Sequence, residues 1–423
     1  MMPTSWRWKA ALALASVLLG AWYVAPNFSS GLPQNVLPSS KITLGLDLQG
    51  GTHLVLGVDL RRAVLTEADN YLREIESIAD KEGLTLVESE RAFDSTKIQV
   101  ALSSEEDYQS FLKLLEDKIP TLSVVSQAAS DQKLTLDMTD ARKDEVEQQT
   151  MAQALETLRN RLDEFGVAEP SIQAHGKDQV VIQLPGLSDP KRAEAVLGKT
   201  ARLEFKLVDE QGMGEVQLAK LVDEAKKTLP EKYKMEELNR ALKGKIPDGT
   251  QVLFKETKDP TSGQTNQAPY LLKSRVELSG DMLDDARLGG DQYGRPAVDL
   301  RLNPTGTEIL DRVTGENINH RLAIILDDKV YSDPVIGARI SDGRPQITFG
   351  NLKSRQEIFE EAKDLSLVLR AGALPAPVEI LESRSVGPSL GRDSIDKGSK
   401  AMLLGLLLVM VFMIVYYRLS GFA

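Results

Sequence analysis

Two long apolar runs lie near the ends of the chain, and between them hydrophobic residues recur at the spacings of amphipathic helices and strands. Residues 401–417 contain no charged residue and end in two tyrosines followed by Arg418. A membrane-spanning helix needs roughly 20 mainly apolar residues, and aromatic residues beside a cation are typical of its interfacial end. A buried core helix would seldom be apolar on every face. The pattern therefore predicts a transmembrane helix within residues 397–423.

The second apolar run, residues 10–25, follows two basic residues near the N-terminus. A cleavable secretory signal has the same basic start, but Trp22 and Tyr23 stand where cleavage requires small residues. We therefore expect residues 1–28 to hold an uncleaved first transmembrane helix, with its basic end in the cytoplasm. Residues 27–396 would then lie on the opposite side of the membrane.

The region between the two runs alternates predicted strands and helices, which is typical of α+β proteins. Residues 29–139 have the order β-α-β-β-α-β of a ferredoxin-like unit, with an extra strand at the end. The first strand alternates apolar and polar positions within residues 42–60. Gly50 and Gly51 interrupt it and permit a bulge or a hairpin, because glycine adopts positive φ angles without steric cost.

Residues 140–210 are predicted to form a second α/β half-unit. A helix over residues 140–165 has an apolar stripe that includes Leu158 and Leu162, and Gly166 is its expected C-cap. The opposite face is crowded with Glu, Gln and Arg, and we expect it to be solvated.

Residues 211–350 differ from the preceding region in their predicted elements: charged helices, a polar loop, and tight turns at the ends of short strands. We expect them to form a separate inserted α+β domain. Residues 351–396 then form a return path that leads into the second span. The predicted fold class is α+β, with two transmembrane helices around a large external region.

Composition narrows the classes of function. The chain has 423 residues, a formal net charge of −11 and no cysteine. The negative charge argues against a nucleic-acid partner, and no run of basic residues provides a footprint for phosphates. Without cysteine there is no disulfide framework, so packed cores must stabilise the external domains.

The sequence contains no motif that predicts a catalytic, cofactor or metal site. Its histidines, His53, His175 and His320, share no metal-ligand spacing. The GKT at residues 198–200 lacks the first glycine of a phosphate-binding loop and precedes a strand. The acidic pair Asp327 and Asp328 could bind Ca²⁺, but a solvated hairpin turn is the favoured interpretation. The residues alone predict a non-catalytic membrane protein with a large external body.

Four segments of the chain, in order, are similar to the characteristic sequences of one family: residues 44–51 (LGLDLQGG), 159–186, 315–336 and 365–395. Together they resemble SecD, a subunit of the bacterial Sec preprotein translocase, from the SecD/SecF family of the resistance-nodulation-division (RND) transporter superfamily. The resemblance implies structural or gating roles for the motif residues Asp47, Gly50, Gly51, Gly166, Glu169, Pro170, Pro185, Gly186, Gly372, Pro375, Gly387, Pro388 and Gly391.

The same resemblance implies a multi-pass protein of the bacterial inner membrane, with most of the chain in the periplasm. Its periplasmic part would have a membrane-near base, formed by the units of residues 29–139 and 140–210, and a mobile inserted α+β head, formed by residues 211–350. Residues 351–396 would return the chain to the base. It would be a non-enzymatic accessory subunit that binds emerging polypeptides and promotes export driven by the proton-motive force. Members of the family carry six spans, and one of the later ones holds an Asp linked to proton movement. That residue is expected outside this sequence. The implied partners are SecF, the SecYEG channel, YajC, YidC, unfolded secretory polypeptides and membrane lipid, with no nucleic acid and no cofactor.

Apolar residues on strands of the head are candidates for polypeptide contact, for instance Leu271, Leu272 and Val335. Base rates of burial favour a core position for each. Two other classes of function remain open. An exporter component of the RND superfamily would have a longer chain with paired periplasmic domains, whereas a membrane-anchored periplasmic binding protein would have a deep polar pocket.

Overall fold

The computed structural model describes residues 4–24, 50–92, 94–128, 132–167, 170–187, 189–230, 233–258, 265–349, 354–386 and 388–417. The helices in these ranges are α1 (Thr4–Val24), α2 (Leu60–Glu82), α3 (Glu105–Lys118), α4 (Asp140–Phe165), α5 (Pro190–Leu197), α6 (Glu215–Lys226), α7 (Met235–Leu242), α8 (Pro304–Glu316), α9 (Arg355–Ala371) and α10 (Pro388–Tyr417). The strands are β1 (Gly51–Val58), β2 (Leu86–Arg91), β3 (Ile98–Leu102), β4 (Leu122–Ala128), β5 (Lys133–Met138), β6 (Ser171–His175), β7 (Gln179–Pro185), β8 (Leu203–Leu207), β9 (Thr250–Lys258), β10 (Thr265–Lys273), β11 (Leu278–Ser279), β12 (Leu283–Gly290), β13 (Pro296–Leu302), β14 (Leu322–Leu326), β15 (Lys329–Ser332), β16 (Gln346–Thr348) and β17 (Val378–Val386).

Strands from distant parts of the chain form an antiparallel sheet in the order β17-β1-β7-β6, which we call the base sheet. The prediction that the first strand belongs to a unit confined to residues 29–139 is wrong. The alternating pattern fixes which side chains of β1 are buried, but it does not specify the partner strand. Residues 42–49, the first half of the predicted strand, lie outside the described ranges.

The remaining strands of the first predicted unit form a second antiparallel sheet in the order β2-β3-β5-β4, the N-terminal sheet. It shares one hydrophobic core with the base sheet, and apolar side chains of α2 and α4 belong to the same core. Leu54, Leu136 and Leu158 are fully buried in this core. Burying a leucine side chain contributes about 1.5–3 kcal/mol, so the two sheets stabilise each other.

Two further sheets form the head. The large head sheet has the order β10-β9-β15-β14-β8-β11, and the small head sheet has the order β12-β13-β16. Strand β8 was assigned to the base from the sequence, but it pairs with β14 and β11 inside the large head sheet. Helix α9 was assigned to the return path, yet its Ala362 and Leu365 pack in the core of the head. The head therefore reaches beyond residues 211–350 on both sides.

Several elements follow the sequence closely. Helix α4 covers the predicted residues, and Gly166 caps it with φ 79°. The predicted hairpin of β14 and β15 turns through Asp327 and Asp328, both with positive φ. Helix α9 begins at the capping box of Ser354 and Glu357. In each case, local capping or turn chemistry specifies the boundary.

Within the described ranges, one helical segment, residues 393–416, is long and apolar enough to cross a membrane. It belongs to α10, which starts at Pro388, so the helix begins well before the predicted apolar run. Helix α1 covers the N-terminal run, and the side chains of Leu12, Leu14 and Leu18 are exposed. The prediction that α1 is also a span stays a prediction.

Candidate functional site

The chain passes between base and head at two adjacent segments. Residues 198–202 lead from α5 to β8, and residues 372–377 lead from α9 to β17. The amide of Leu374 donates to the carbonyl oxygen of Thr200 at 2.9 Å, so the segments lie side by side. We call them the crossover pair. Because both segments are short and adjacent, a few backbone rotations there could reorient the whole head.

Arg161 of α4 lies between the two segments and is fully buried. Its guanidinium donates hydrogen bonds to main-chain carbonyl oxygens at the end of α5 and on both segments. The acceptors are Val196 at 3.1 Å and Leu197 at 3.2 Å on α5, Lys199 and Thr200 (3.2 Å) on the first segment, and Gly372 at 3.1 Å on the second. Burial lowers the pKa of Arg161 to about 10, and the charge of Asp327 opposes this shift. The side chain is therefore still cationic at neutral pH.

The first crossover segment is also bound by the β14–β15 turn. The carboxylate of Asp327 accepts hydrogen bonds from the amides of Ala201 at 3.1 Å and Arg202 at 2.9 Å. Ala201 has φ 59°, a conformation that non-glycine residues adopt rarely. The surrounding contacts thus hold the backbone in a sparsely populated region, as is common at hinges and binding sites.

Ion pairs join α9 to the base next to the crossover pair. Arg192 of α5 donates to Asp364 at 2.6 Å, and this hydrogen bond raises the pKa of the Arg192 guanidinium. Arg370 donates to Glu164 of α4 at 3.0 Å and also to the carbonyl oxygen of Ala286 at 2.9 Å. Helix α9 therefore contacts the base and the small head sheet at once.

A second contact between base and head is formed by residues outside the crossover pair. Arg62 of α2 donates to Glu236 of α7 at 3.0 Å, and Lys243 donates to Glu90 of β2 at 3.4 Å. We call these the distal ion pairs. Burial lowers the pKa of Arg62, but the hydrogen bond and charge of Glu236 outweigh burial and raise it. Both pairs keep contact with water, so each is expected to be weak and sensitive to salt.

Four motif residues meet at the end of the base sheet where β17 leads into α10. Gly51 pairs with Pro185 on β7 and with Val386 on β17. The amide of Gly186 donates to the carbonyl oxygen of Gly50 at 2.9 Å. Gly50 and Gly51 have φ 73° and 141°, which side chains disfavour. We call Gly50, Gly51, Pro185 and Gly186 the glycine cluster.

The head has an open groove of about 570 Å³ between the β12–β13 hairpin and the first turn of α9. Leu288, Pro296 and Phe359 contribute apolar surface to it, and Arg355 contributes a charge. Tyr293 stands at the tip of the same hairpin with 74% of its surface exposed. Exposed aromatic side chains beside a concave surface are a common feature of protein-binding sites.

The structure overturns two of the three predicted polypeptide contacts. Leu271 and Leu272 are 3% and 0% exposed, because helices α6 and α7 cover one face of β10 and a second cluster covers the other. Neither can contact a polypeptide without unfolding of the head. Val335 is 58% exposed and remains available.

The other predicted motif residues lie outside the glycine cluster. Gly166 follows α4, and Gly372 accepts a hydrogen bond from Arg161. Pro170 and Pro375 are half-buried. Pro388 and Gly391 belong to α10. Asp47, Glu169 and Gly387 lie outside the described residues.

Three family models from the SecD and SecF proteins match parts of this chain. The family model described as the SecDF P1 head subdomain matches residues 252–376, and that of the N-terminal part of the SecDF P1 domain matches residues 151–210. The SecD/SecF GG motif matches residues 36–59.

Two curated proteins are similar over nearly the whole chain. Protein translocase subunit SecD of Syntrophobacter fumaroxidans is 37% identical over 98% of this chain and 73% of its own length. The chain belongs to the SecD family. The SecD of Calditerrivibrio nitroreducens is 38% identical over 90% of this chain and 68% of its own length. The SecD family consists of non-enzymatic accessory subunits of the membrane translocase, in agreement with the prediction of no catalytic role.

A solved SecDF structure in a super-membrane-facing form is 27% identical to this chain. The match covers 97% of this chain and 39% of that chain, with a TM-score of 0.45. This chain therefore spans less than half of that larger SecDF chain.

Sequence reasoning missed the buried Arg161. Arg residues of α4 were assigned to its solvated face. However, Arg161 follows Ala154 and Leu158 at intervals of four and three residues, which places it on the buried stripe. An arginine at such a position is a signal of a buried hydrogen-bond site, because burying its charge without partners is prohibitively costly.

Proposed function

We propose that this protein is an accessory subunit of the Sec translocase whose periplasmic head binds polypeptides that emerge from the channel. The observation that carries the proposal is the membership of the SecD family, together with a head joined to the base through one crossover pair. Binding and release require a head with different affinity for the polypeptide in two arrangements. The crossover pair offers a place where such arrangements could interconvert.

The base would be a ferredoxin-like unit with two insertions. Strands β1, β6, β7 and β17 with their intervening helices follow the order β-α-β-β-α-β. The N-terminal sheet interrupts this order after β1, and the head interrupts it after β7. The glycine cluster would couple the base sheet to α10, because the sheet and the helix are separated there by a single residue.

The groove beside Phe359 is the proposed polypeptide site. Its apolar lining suits side chains of an unfolded segment, and its open shape admits an extended chain of variable sequence. Tyr293 would add an exposed ring at the entrance. Leu271 and Leu272 are buried and would not contact the polypeptide, whereas the exposed Val335 would be a peripheral contact.

Site-specific photocrosslinking tests this site. A photoreactive residue at Phe359 should crosslink to a secretory precursor stalled in the translocase. The same residue at Val216 of α6, which is 73% exposed, is the matched control. Crosslinks at Val216 that equal those at Phe359, or none at either position, would contradict the proposed site.

Topology and partners follow from the same proposal. Helices α1 and α10 would both span the inner membrane, with residues 27–396 in the periplasm. SecF, the SecYEG channel, YajC and YidC would be partners, and the proton-motive force would drive the cycle. Copurification of SecF and SecYEG with the full-length protein supports this assignment, and failure to recover either counts against it.

A further inference from the structure

Three helix ends meet at the crossover pair. Helix α5 ends at Leu197, where the chain leaves the base, and helix α9 ends at Ala371, where it returns. Helix α4 passes beside both ends and carries Arg161 near its own C-terminus. The last carbonyl groups of a helix have no partner within the helix and carry a partial negative charge. A cation placed between two such ends can therefore stabilise both.

Arg161 fits that place. It bonds the carbonyl oxygens of Val196 and Leu197 at the end of α5 and that of Gly372 just after α9. Its bonds to Lys199 and Thr200 continue along the first crossover segment. One side chain thus connects the outgoing and returning segments to a helix of the base.

We propose that Arg161 is a positioning residue that holds the two crossover segments at a fixed spacing, so that the head moves on the base as one body. The proposal rests on the proposed function, which requires a head that changes its orientation. One buried side chain of the base would then set the orientation of the head, together with the ion pairs on the surface.

The chemistry of the side chain explains why arginine occupies this position. A guanidinium presents five N–H donors in a rigid planar fork, whereas a lysine ammonium is a compact charge with three donors. Lysine could bond the carbonyl oxygens of one segment but would not reach both with good geometry. Without Arg161, the hydrogen bond from Leu374 to Thr200 would be left to connect the two segments directly.

Spin-label distances in the full chain test the proposal, and the absence of native cysteine makes the labelling specific. One pair of introduced cysteines, at Gln173 of β6 and Lys273 of β10, reports the distance between base and head. A second pair, at Lys273 and Glu308 of α8, reports distances within the head. All three positions are exposed. Each pair is measured in the parent chain and in the variants Arg161→Met, Arg161→Lys and Arg159→Met.

Arg161→Met should broaden the base–head distance distribution by about twofold or more, because it removes the hydrogen bonds to both segments. Arg161→Lys should broaden it less, since the charge is kept. Arg159→Met changes an exposed residue of the same helix and should leave it unaltered. The distribution within the head should stay narrow in every variant.

Two results would overturn the proposal. The first is an unchanged base–head distribution in both Arg161 variants. The second is equal broadening within the head, which would mean that Arg161 only maintains the fold. If Arg161→Met does not fold, Arg161→Lys decides by the same criteria. The distances are measured without a secretory substrate, so a failure of the crosslinking experiment would refute the polypeptide site and leave this result valid.

Discussion

Replacing Gly51 by alanine tests whether the glycine cluster fixes the end of the base sheet next to α10. Gly51 is buried, with φ 141°, and pairs with Pro185 on one side and Val386 on the other. A side chain held in a sparsely populated region of φ and ψ costs of order 1–3 kcal/mol. We therefore expect Gly51→Ala to lower the free energy of unfolding of the base by about 1–3 kcal/mol.

Thermal unfolding of the full chain in detergent, with hydrogen exchange followed by mass spectrometry, measures this effect. A domain of about 150–250 residues loses about 2–4 °C in Tm per kcal/mol. The loss should be accompanied by faster exchange in β1, β7 and β17, because Gly51 pairs with both neighbouring strands. Exchange in the large head sheet should not change.

Gly337→Ala is the matched control, since Gly337 is exposed, has ordinary φ and has open space where a Cβ would be added. It should shift Tm by less than about 1 °C. If Gly51→Ala unfolds at the same temperature as Gly337→Ala, the strain assigned to this position is absent. If exchange increases equally in base and head, the effect is not local to the glycine cluster.

Three further substitutions test the core, the distal ion pairs and the pH dependence. Leu272→Ala should cost about 2–5 kcal/mol of unfolding free energy because it opens a cavity at a fully buried site, as measured by thermal unfolding. Glu236→Gln should remove a contact with Arg62 that contributes about 1 kcal/mol or less. Its effect on the base–head arrangement is measured by spin-label distances at low salt. Burial raises the pKa of Asp137, but hydrogen bonds from Thr96 and Lys143 outweigh burial and lower it below 3.8. The stabilisation is present above that value and is lost as pH falls through the lower folded pKa, so Asp137→Asn should flatten the acid limb of stability in urea titrations.

Each of these has a control or a contrary outcome. Val335→Ala, at an exposed position, should change stability by less than about 0.5 kcal/mol, and a cost equal to that of Leu272→Ala would contradict the assigned burial. An effect of Glu236→Gln that persists at high salt would show that the contact is not a screened ion pair. An acid limb identical in Asp137→Asn and the parent chain would assign that limb to other carboxylates.

The sequence by itself was sufficient for features that depend on near neighbours in the chain. The apolar run of α10, the C-cap of α4 at Gly166 and the turn at Asp327 follow from composition, capping and turn chemistry within a few residues. The order of strands and helices over residues 51–138 was also predicted correctly. The family could be inferred as well, because its motifs are contiguous.

Tertiary structure decided which strands pair and which side chains are buried. Strand β1 joins β7 and β17, which lie more than a hundred residues away in the chain, instead of the strands next to it in sequence. The alternation of Leu271 and Leu272 on β10 puts them on opposite faces, and only packing reveals that both faces are covered. In the sequence, the position of Arg161 on the apolar stripe of α4 indicates a buried arginine but does not identify its partners. Its role depends on carbonyl groups at the ends of two helices that are distant in the sequence. The residue pattern of α4 alone does not predict that these groups lie beside Arg161.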